Sequence, residues 1–92
     1  MPVRIELLAR SAAMELLDIS RFLEKIERFP EIDRHAALTT YANELEQRQI
    51  YGLASHAYVA LGLNEKADEM SRKGTELAEK RMLSGKGNIS YT

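Results

Sequence analysis

Apolar residues recur at steps of three and four along the first third of the chain, a spacing that places side chains on one face of an α-helix. The stripe consists of Ile5, Leu8, Ala12, Leu16, Ile19, Leu23 and Ile26. Pro2 suits a first helical turn, where its missing N–H would have no partner, and Pro30 stops the helix. The pattern therefore predicts one helix of about 27 residues, roughly 40 Å long.

Further apolar residues widen this stripe on its flanks. They are Leu7, Met14, Leu17 and Phe22. Either the later helices or a second protein can cover such a wide stripe, and the sequence leaves both interpretations open. Because large exposed apolar patches are uncommon on monomers, and twofold pairing is the commonest way to cover one, we predict a homodimer that pairs through the first helix. A different protein partner on the same face is the competing hypothesis.

Residues 31–61 predict either one long helix or two shorter ones. Their apolar positions keep helical spacing, at Leu38, Tyr41, Ala42, Leu45, Leu53, Ala54, Ala57, Tyr58 and Leu61. Asp33, Thr39 or Thr40 can cap the start of this segment, because their side chains accept hydrogen bonds from backbone N–H groups. Gly52 costs about 1 kcal/mol relative to alanine within a helix, which indicates a close helix crossing or a junction there.

A helix–helix turn is predicted at Leu61-Gly62-Leu63-Asn64. Gly62 can take the left-handed conformation that ends a helix, and Asn64 can cap the next one. That last helix has a thin apolar stripe and is expected to end at Ser84–Gly87. The chain then divides into one helical domain, residues 1–83, and a C-terminal tail, residues 84–92.

The segment around this turn resembles a tetratricopeptide-repeat (TPR) hairpin, which has two antiparallel helices within about 34 residues. The resemblance covers residues 48–81, about a third of the chain. Large and small residues of the family pattern correspond in this sequence to Tyr51, Ala54, Ser55, Tyr58, Gly62, Ala67 and Gly74. Two features depart from the pattern: Ser71 stands where the family has an aromatic residue, and no proline follows the second helix.

The resemblance implies a protein-binding scaffold, and it implies no enzymatic activity. A single repeat cannot bury its own apolar face and needs neighbours on which to stack. Residues 1–47 contain no second copy of the pattern. The resemblance therefore implies that the first helices act as the neighbour of the hairpin.

Composition and charge narrow the class of protein. The chain has no cysteine, which excludes disulfides and thiolate metal sites and indicates a cytoplasmic protein. We expect no membrane association, because no window of about 18–20 uncharged apolar residues occurs, and no targeting segment, because Arg4 and Glu6 interrupt the N-terminal apolar run.

No set of residues indicates catalysis. His35 and His56 stand too far apart to place two histidines on one helix face, so we predict no metal site. The acidic residues are dispersed among basic ones, as in Glu24 with Arg28, Asp68 with Arg72, and Glu76 with Lys80, which is typical of solvated helix faces. Ser84-Gly85-Lys86-Gly87 lacks the strand and helix that flank a phosphate-binding loop. The sequence predicts no enzyme and no cofactor.

Nucleic-acid binding is the alternative function. Six basic residues occur in residues 62–92, and five of them make the C-terminal part locally basic: Arg72, Lys73, Lys80, Arg81 and Lys86. The acidic residues nearby leave residues 62–92 close to neutral, and the start of the last helix is acidic where a recognition helix needs basic and amide groups. The pattern argues against nucleic acid as a partner, but a DNA-binding or transcription-modulating factor that uses a basic face of this helix stays an alternative.

The sequence thus predicts an all-α protein, a three- or four-helix bundle with a TPR-like hairpin in its second half. We expect a non-enzymatic protein-interaction module, an adaptor, chaperone-like or regulatory factor of the kind common among bacterial and phage regulators. Its expected partner-binding residues are Leu7, Met14, Leu17, Phe22, Tyr51 and Tyr58. The tyrosines suit the edge of a core equally well, with the ring buried and the hydroxyl in water.

The expected core follows the apolar stripes. It comprises Leu8, Ala12, Leu16, Ile19, Leu23, Leu45, Leu53, Ala57, Leu61, Ala67, Met70 and Leu77. On this prediction Leu16→Ala or Leu23→Ala should each cost about 2–5 kcal/mol of stability.

Overall fold

The computed structural model describes residues 2–89, and the side chains of residues 5–83. Five helices follow one another: α1 (Pro2–Met14), α2 (Ile19–Ile26), α3 (Glu31–Gln47), α4 (Tyr51–Ala60) and α5 (Asn64–Ile89). No strand occurs within residues 2–89, so the all-α class is confirmed, and the helices form a bundle. There are five helices instead of three or four because the first predicted helix is divided into two.

The division of the first predicted helix occurs at residues 15–18. Leu16 has a positive φ of 57°, the Leu16 N–H donates to the Ala13 carbonyl, and the Leu17 N–H donates to the Ala12 carbonyl. This is the hydrogen-bond pattern of a helix end closed by a left-handed residue. Asp18 then caps α2, because its side chain accepts a hydrogen bond of 2.9 Å from the Arg21 N–H. The prediction of a single helix before Pro30 is therefore wrong.

Residues 31–61 form two helices, and the same kind of turn separates them. Gln49 has a φ of 63°, its N–H donates to the Glu46 carbonyl, and the Ile50 N–H donates to the Leu45 carbonyl. Gly52 marks neither the junction nor a close crossing, since a Cβ there would meet nothing within 4 Å.

None of the predicted caps at the start of the second segment is used. α3 begins directly after Pro30, and no side chain caps it. Thr39 lies within the helix and donates its hydroxyl hydrogen to the His35 carbonyl at 2.9 Å. Asp33 lies in the first turn of α3, where its charge is favourable to the helix dipole.

The predicted turn at Gly62 is confirmed, with a φ of 79° at that residue. The Gly62 N–H donates to the Val59 carbonyl and the Leu63 N–H to the Tyr58 carbonyl, as in the two earlier turns. The helix stop predicted at Ser84–Gly87 is wrong, because α5 continues to Ile89. A separate tail over residues 84–92 stays a prediction, since side chains beyond residue 83 lie outside the described residues.

The four longer helices, α1, α3, α4 and α5, pack against one another in chain order. α1 lies against α3, α3 against α4, and α4 against α5, while the short α2 contacts α1 and α4. Phe22 of α2 also stacks on Tyr41 of α3, with ring centroids 4.3 Å apart and an interplanar angle of 15°. The Tyr41 hydroxyl donates to the Leu17 carbonyl. These contacts join α2, α3 and the turn between α1 and α2.

The core differs from the predicted one where the first helix is broken. Ala12, Leu45, Ala57, Ala67 and Met70 are buried as predicted. Half-buried positions are Leu8, Ile19, Leu53, Leu61 and Leu77. Leu16 and Leu23 are exposed, which contradicts the prediction. The left-handed Leu16 changes the rotational register of the following helix, and Phe22 and Ile26 are buried in place of Leu23.

The last helix is much longer than the helix it packs on. α5 has 26 residues and α4 has 10, which correspond to lengths of about 39 and 15 Å. Ala67 and Met70 are buried, but every residue from Ala78 to Leu83 is exposed. The molecule is accordingly elongated, 56 Å by 25 Å by 18 Å, with a radius of gyration of 15.7 Å.

Two neighbouring alanine substitutions test the register of α2. Phe22→Ala removes a fully buried ring that stacks on Tyr41 and should cost about 3–5 kcal/mol. Leu23→Ala removes a side chain that is 38 % exposed and should cost clearly less, about 1–2 kcal/mol. Urea unfolding followed by circular dichroism measures both. A larger loss of stability for Leu23→Ala than for Phe22→Ala would mean that Leu23, and not Phe22, faces the core, as an unbroken first helix would require.

Candidate interaction surfaces

The six residues predicted to bind a partner do not share one surface. Phe22 and Tyr58 are buried within the chain's own core. Leu17 and Tyr51 are half-buried and pack against that core. Leu7 and Met14 are exposed. The prediction of Phe22 and Tyr58 as contact residues is therefore corrected, because both rings are already covered by neighbouring helices.

The exposed members lie on the side of α1 that faces away from the core. Ile5, Ala9, Ala12 and Ala13 form the buried side of this helix. Leu7 and Met14 stand seven residues apart, close to two helical turns, and expose 58 % and 62 % of their surface. Leu16 follows in the turn and is 55 % exposed. We call Leu7, Met14 and Leu16 the α1 outer surface.

Sequence reasoning missed Leu16 as a surface residue, because its spacing places it on the apolar stripe of an unbroken helix. The available signal was Asp18, which stands three residues before Arg21 and can accept from its backbone N–H. A cap at Asp18 requires α1 to end before it. Residues between two helices do not follow the helical spacing, so the apolar stripe does not predict whether Leu16 is buried.

A polar cluster joins α3, α4 and α5 on another side of the molecule. The Tyr58 hydroxyl lies 2.7 Å from a Glu46 carboxylate oxygen and 3.0 Å from the side-chain oxygen of Asn43. Lys66 of α5 places its ammonium 3.5 Å from the same Glu46 oxygen and 5.5 Å from the centroid of the Tyr58 ring. The cluster satisfies the polar end of a buried tyrosine and so serves the packing of the three helices.

The packing of α4 on α5 depends on small residues. A Cβ added to Gly74 would lie 3.2 Å from the Cβ of Tyr51, so a larger residue would push these helices apart. The Ser55 hydroxyl donates to the Ala67 carbonyl at 3.1 Å and lies 3.0 Å from the Ser71 hydroxyl oxygen. Apart from Ser71, which departs from the family pattern, these are positions on which the resemblance to a TPR hairpin rests.

A shallow groove runs between the start of α4 and the middle of α5, with a volume of about 250 Å³. Its lining residues are Gln49, Tyr51, Lys73, Glu76, Leu77 and Lys80. Tyr51 and Leu77 contribute half-buried apolar surface, and the other residues mix both signs of charge. The groove has no cluster of like charges that would select a charged small molecule.

Neither histidine lies in a cluster of metal-ligating side chains within residues 5–83. Glu31 stands four residues before His35 on α3, but both are exposed, and the described residues contain no group of three metal-ligating side chains. His56 is also exposed. No helix in the described part of the chain is long and apolar enough to span a membrane.

The ion pairs differ from those expected from spacing. Among the described side chains they are Glu44 with Arg48, Glu46 with Lys66, and Glu69 with Lys73. The expected pair of Glu24 with Arg28 is absent from this set because α2 ends at Ile26, so Arg28 is outside the helix. These contacts are surface pairs, which contribute little to stability because water and salt screen them.

Three basic residues of α5, Lys66, Lys73 and Lys80, recur at steps of seven and share one side of the helix, but the arginines do not extend that side. Arg72 and Arg81 are nine residues apart, which places them on opposite sides of the helix. Glu76 and Glu79 lie between them along the chain, and Lys73 is paired with Glu69 at 3.2 Å. Because Lys66 and Lys73 are each paired with a glutamate, the charge of the lysine side is partly neutralised, which does not favour the DNA-binding hypothesis.

Two tyrosines should titrate late, and their titration should couple to folding. Burial and the nearby carboxylate of Asp18 raise the pKa of Tyr41 to about 12. Burial, and next the hydrogen bond to Glu46, raise the pKa of Tyr58 above its usual range. Because the folded chain favours the neutral phenol, this stabilisation is complete below pH 10, the ordinary tyrosine pKa, and is lost as the pH rises through 12.

Phenolate absorbance during an alkaline titration tests this coupling. Tyr41→Phe and Tyr58→Phe should each remove one late-titrating group from the folded protein. In both variants the free energy of unfolding should fall less steeply above pH 10 than in the wild type. If a variant instead loses a tyrosine that titrates near pH 10, the hydroxyl of the replaced tyrosine does not have the raised pKa.

Comparisons of the chain with known protein families, with curated proteins and with solved structures find no match. The resemblance of residues 48–81 to a TPR hairpin accordingly stays a prediction.

Proposed function

We propose that the protein is a non-enzymatic interaction module that binds a partner protein through the α1 outer surface. The observation that carries the proposal is the exposure of Leu7, Met14 and Leu16, three large apolar side chains on and directly after one helix. Single exposed leucines are ordinary on proteins, but two large apolar side chains on a side of α1 that no other described helix covers, followed by a third in the next turn, favour a contact site.

The conformation of Leu16 supports this proposal. A left-handed backbone costs an L-residue roughly 1–2 kcal/mol, and glycine would take the same turn without that cost. Leu16 also contributes little to the core, since more than half of its surface is in water. A strained and exposed leucine is therefore poorly explained by stability alone, which favours a role in binding.

The size of the surface favours a partner with a groove over a homodimer through α1. The three side chains together expose no more than a few hundred Å², whereas a standard interface buries about 800 Å² on each partner. Two copies of the α1 outer surface would bury too little area to form a stable homodimer. A hydrophobic groove on another protein can enclose a helix from both sides and gain more contact from the same residues.

The C-terminal half of the module is proposed to be a TPR-like hairpin that provides a rigid scaffold. The close approach of Gly74 to Tyr51 and the hydrogen bond from Ser55 to Ala67 support this assignment. α3 lies against α4 on the other side and would serve as the stacking neighbour that a single repeat needs. A cytoplasmic location fits a chain without cysteine.

Paired lysine substitutions test the α1 outer surface. The double variant Leu7→Lys with Met14→Lys should lose a partner that the wild type captures from cells of its host, because charged side chains cannot enter an apolar groove. The matched control is Ile32→Lys with Val59→Lys, which changes two residues of 79 % and 55 % exposure on other helices. The control should keep the partner, and both variants should keep their helical content.

Equal capture by the wild type and the α1 variant would overturn the proposal. Retention on random DNA that weakens with salt, together with no protein partner, would overturn it in favour of the DNA-binding alternative.

A second test separates binding from stability at one residue. Leu16→Gly relieves the left-handed strain but removes an exposed leucine. The free energy of unfolding should stay unchanged or rise by up to about 1 kcal/mol, while affinity for the partner should fall. Unfolding in urea and titration with the captured partner measure the two quantities. A variant that is clearly less stable than the wild type would show that Leu16 serves the fold.

A further inference from the structure

The last helix carries a surface that neither the core nor the proposed function uses. Within the described residues α5 packs mainly on α4, and it extends past the start of α4: Gly74 lies against Tyr51, the first residue of α4, and α5 continues to Ile89. Residues from Ala78 to Leu83 are all exposed, including Met82 and Leu83. A helical segment of this length without packing is marginal in water, so a partner on this part of α5 would stabilise it.

Charges along one side of this helix alternate in sign. Glu65, Arg72 and Glu79 follow one another at steps of seven residues, close to two turns, and therefore lie in one column. All three are exposed, and Arg72 and Glu79 belong to none of the ion pairs among the described side chains. The sequence continues the alternation with Lys86. We call Glu65, Arg72 and Glu79 the α5 charge column.

The alternation selects a second copy of the same helix in the antiparallel direction. With Lys86 included, the sequence reads acidic, basic, acidic, basic from the N-terminal end and basic, acidic, basic, acidic from the C-terminal end. An antiparallel copy therefore brings opposite charges together, whereas a parallel copy in register brings like charges together. A parallel copy shifted by seven residues would also match, but it would leave unpaired ends and would not close as a dimer.

The residues beside the column allow such a helix to approach. Ser71, Thr75, Ala78 and Met82 recur at steps of four, three and four residues, and all are exposed. This spacing matches the contact positions of a two-helix coil, with the charge column along its edge. Ala78 and Met82 are its apolar members, and Ser71 lies at the border with α4, where its hydroxyl is 3.0 Å from that of Ser55. The seam is turned about a quarter of the circumference away from the side that packs on α4, where Ala67 and Met70 are buried.

We propose that two copies of the chain pair antiparallel through α5, with Arg72 facing the partner's Glu79 and the twofold axis passing close to Thr75. By symmetry the partner's Arg72 faces Glu79, so each dimer contains the contact twice. This interface lies on a different helix from the α1 outer surface and does not depend on the proposed function. It also differs from the homodimer through α1 that the sequence predicts.

Charge reversal at the two paired positions tests the proposal. Sedimentation at low ionic strength should show a monomer–dimer equilibrium for the wild type that weakens with added salt. Arg72→Glu and Glu79→Arg each place like charges opposite one another twice, so each should raise the dissociation constant about tenfold or more. The double variant Arg72→Glu with Glu79→Arg restores opposite charges and should return within about threefold of the wild type.

The α1 variant Leu7→Lys with Met14→Lys is the matched control and should dimerise like the wild type. If it abolishes the dimer, the interface is on α1 and the proposal is overturned. A wild type that stays monomeric up to about 1 mM at low salt, or a double variant no better than the single ones, would also overturn it.

Introduced cysteines test the direction of the helices, because the chain has no cysteine of its own. With the axis close to Thr75, a short bismaleimide should link the two copies of Thr75→Cys. It should not link the copies of Met82→Cys, whose sulfurs would be separated by roughly 20 Å along the antiparallel helices. Linkage at both positions indicates parallel helices, and linkage at neither indicates no α5 pair. Either result overturns the proposal.

Discussion

The fold depends on one way of ending a helix, which the chain uses three times. Leu16, Gln49 and Gly62 each take a left-handed conformation, and the N–H of that residue and the N–H of the next one close the preceding helix with the same pair of hydrogen bonds. These turns fix where α1, α3 and α4 end. They also set the rotation of the helix that follows, and therefore which of its residues reach the core. The stacking of Phe22 on Tyr41 is a consequence of the turn at Leu16.

Tyrosine hydroxyls hold the core together where helices meet. Tyr41 is fully buried, and its hydroxyl donates to the Leu17 carbonyl in the first turn, which stabilises the turn from the side of α3. Tyr58 reaches Glu46 and Asn43 of α3, and Lys66 of α5 closes the same cluster. In a domain this small the apolar core alone contributes little surplus stability. Hydrogen-bonded polar groups at the edge of the core therefore help to select one arrangement of the helices over others.

The sequence predicts the turn at Gly62 because glycine takes the left-handed conformation without strain. It does not predict the turns at Leu16 and Gln49, since neither residue type favours that conformation and the apolar spacing continues through the first of them. Because the sequence does not predict the turn at Leu16, the predicted partner-binding residues are correct only in part. Leu7 and Met14 precede the first break, and both are exposed as the flank of the stripe suggests. Phe22 follows the break, so its burial could not be derived from the spacing of an unbroken helix.

The order of the helices explains where exposed apolar surface is found. α1, α3, α4 and α5 lie against one another in that sequence, so α3 and α4 have long neighbours on two sides, while α1 and α5 are end helices. In stacked helical proteins the end elements must have polar outer faces or bind something. Here α1 leaves Leu7 and Met14 uncovered, and α5 leaves Met82 and Leu83 uncovered. The charge column lies on α5. It favours a second copy of the chain against α5, and an unlike protein against α1.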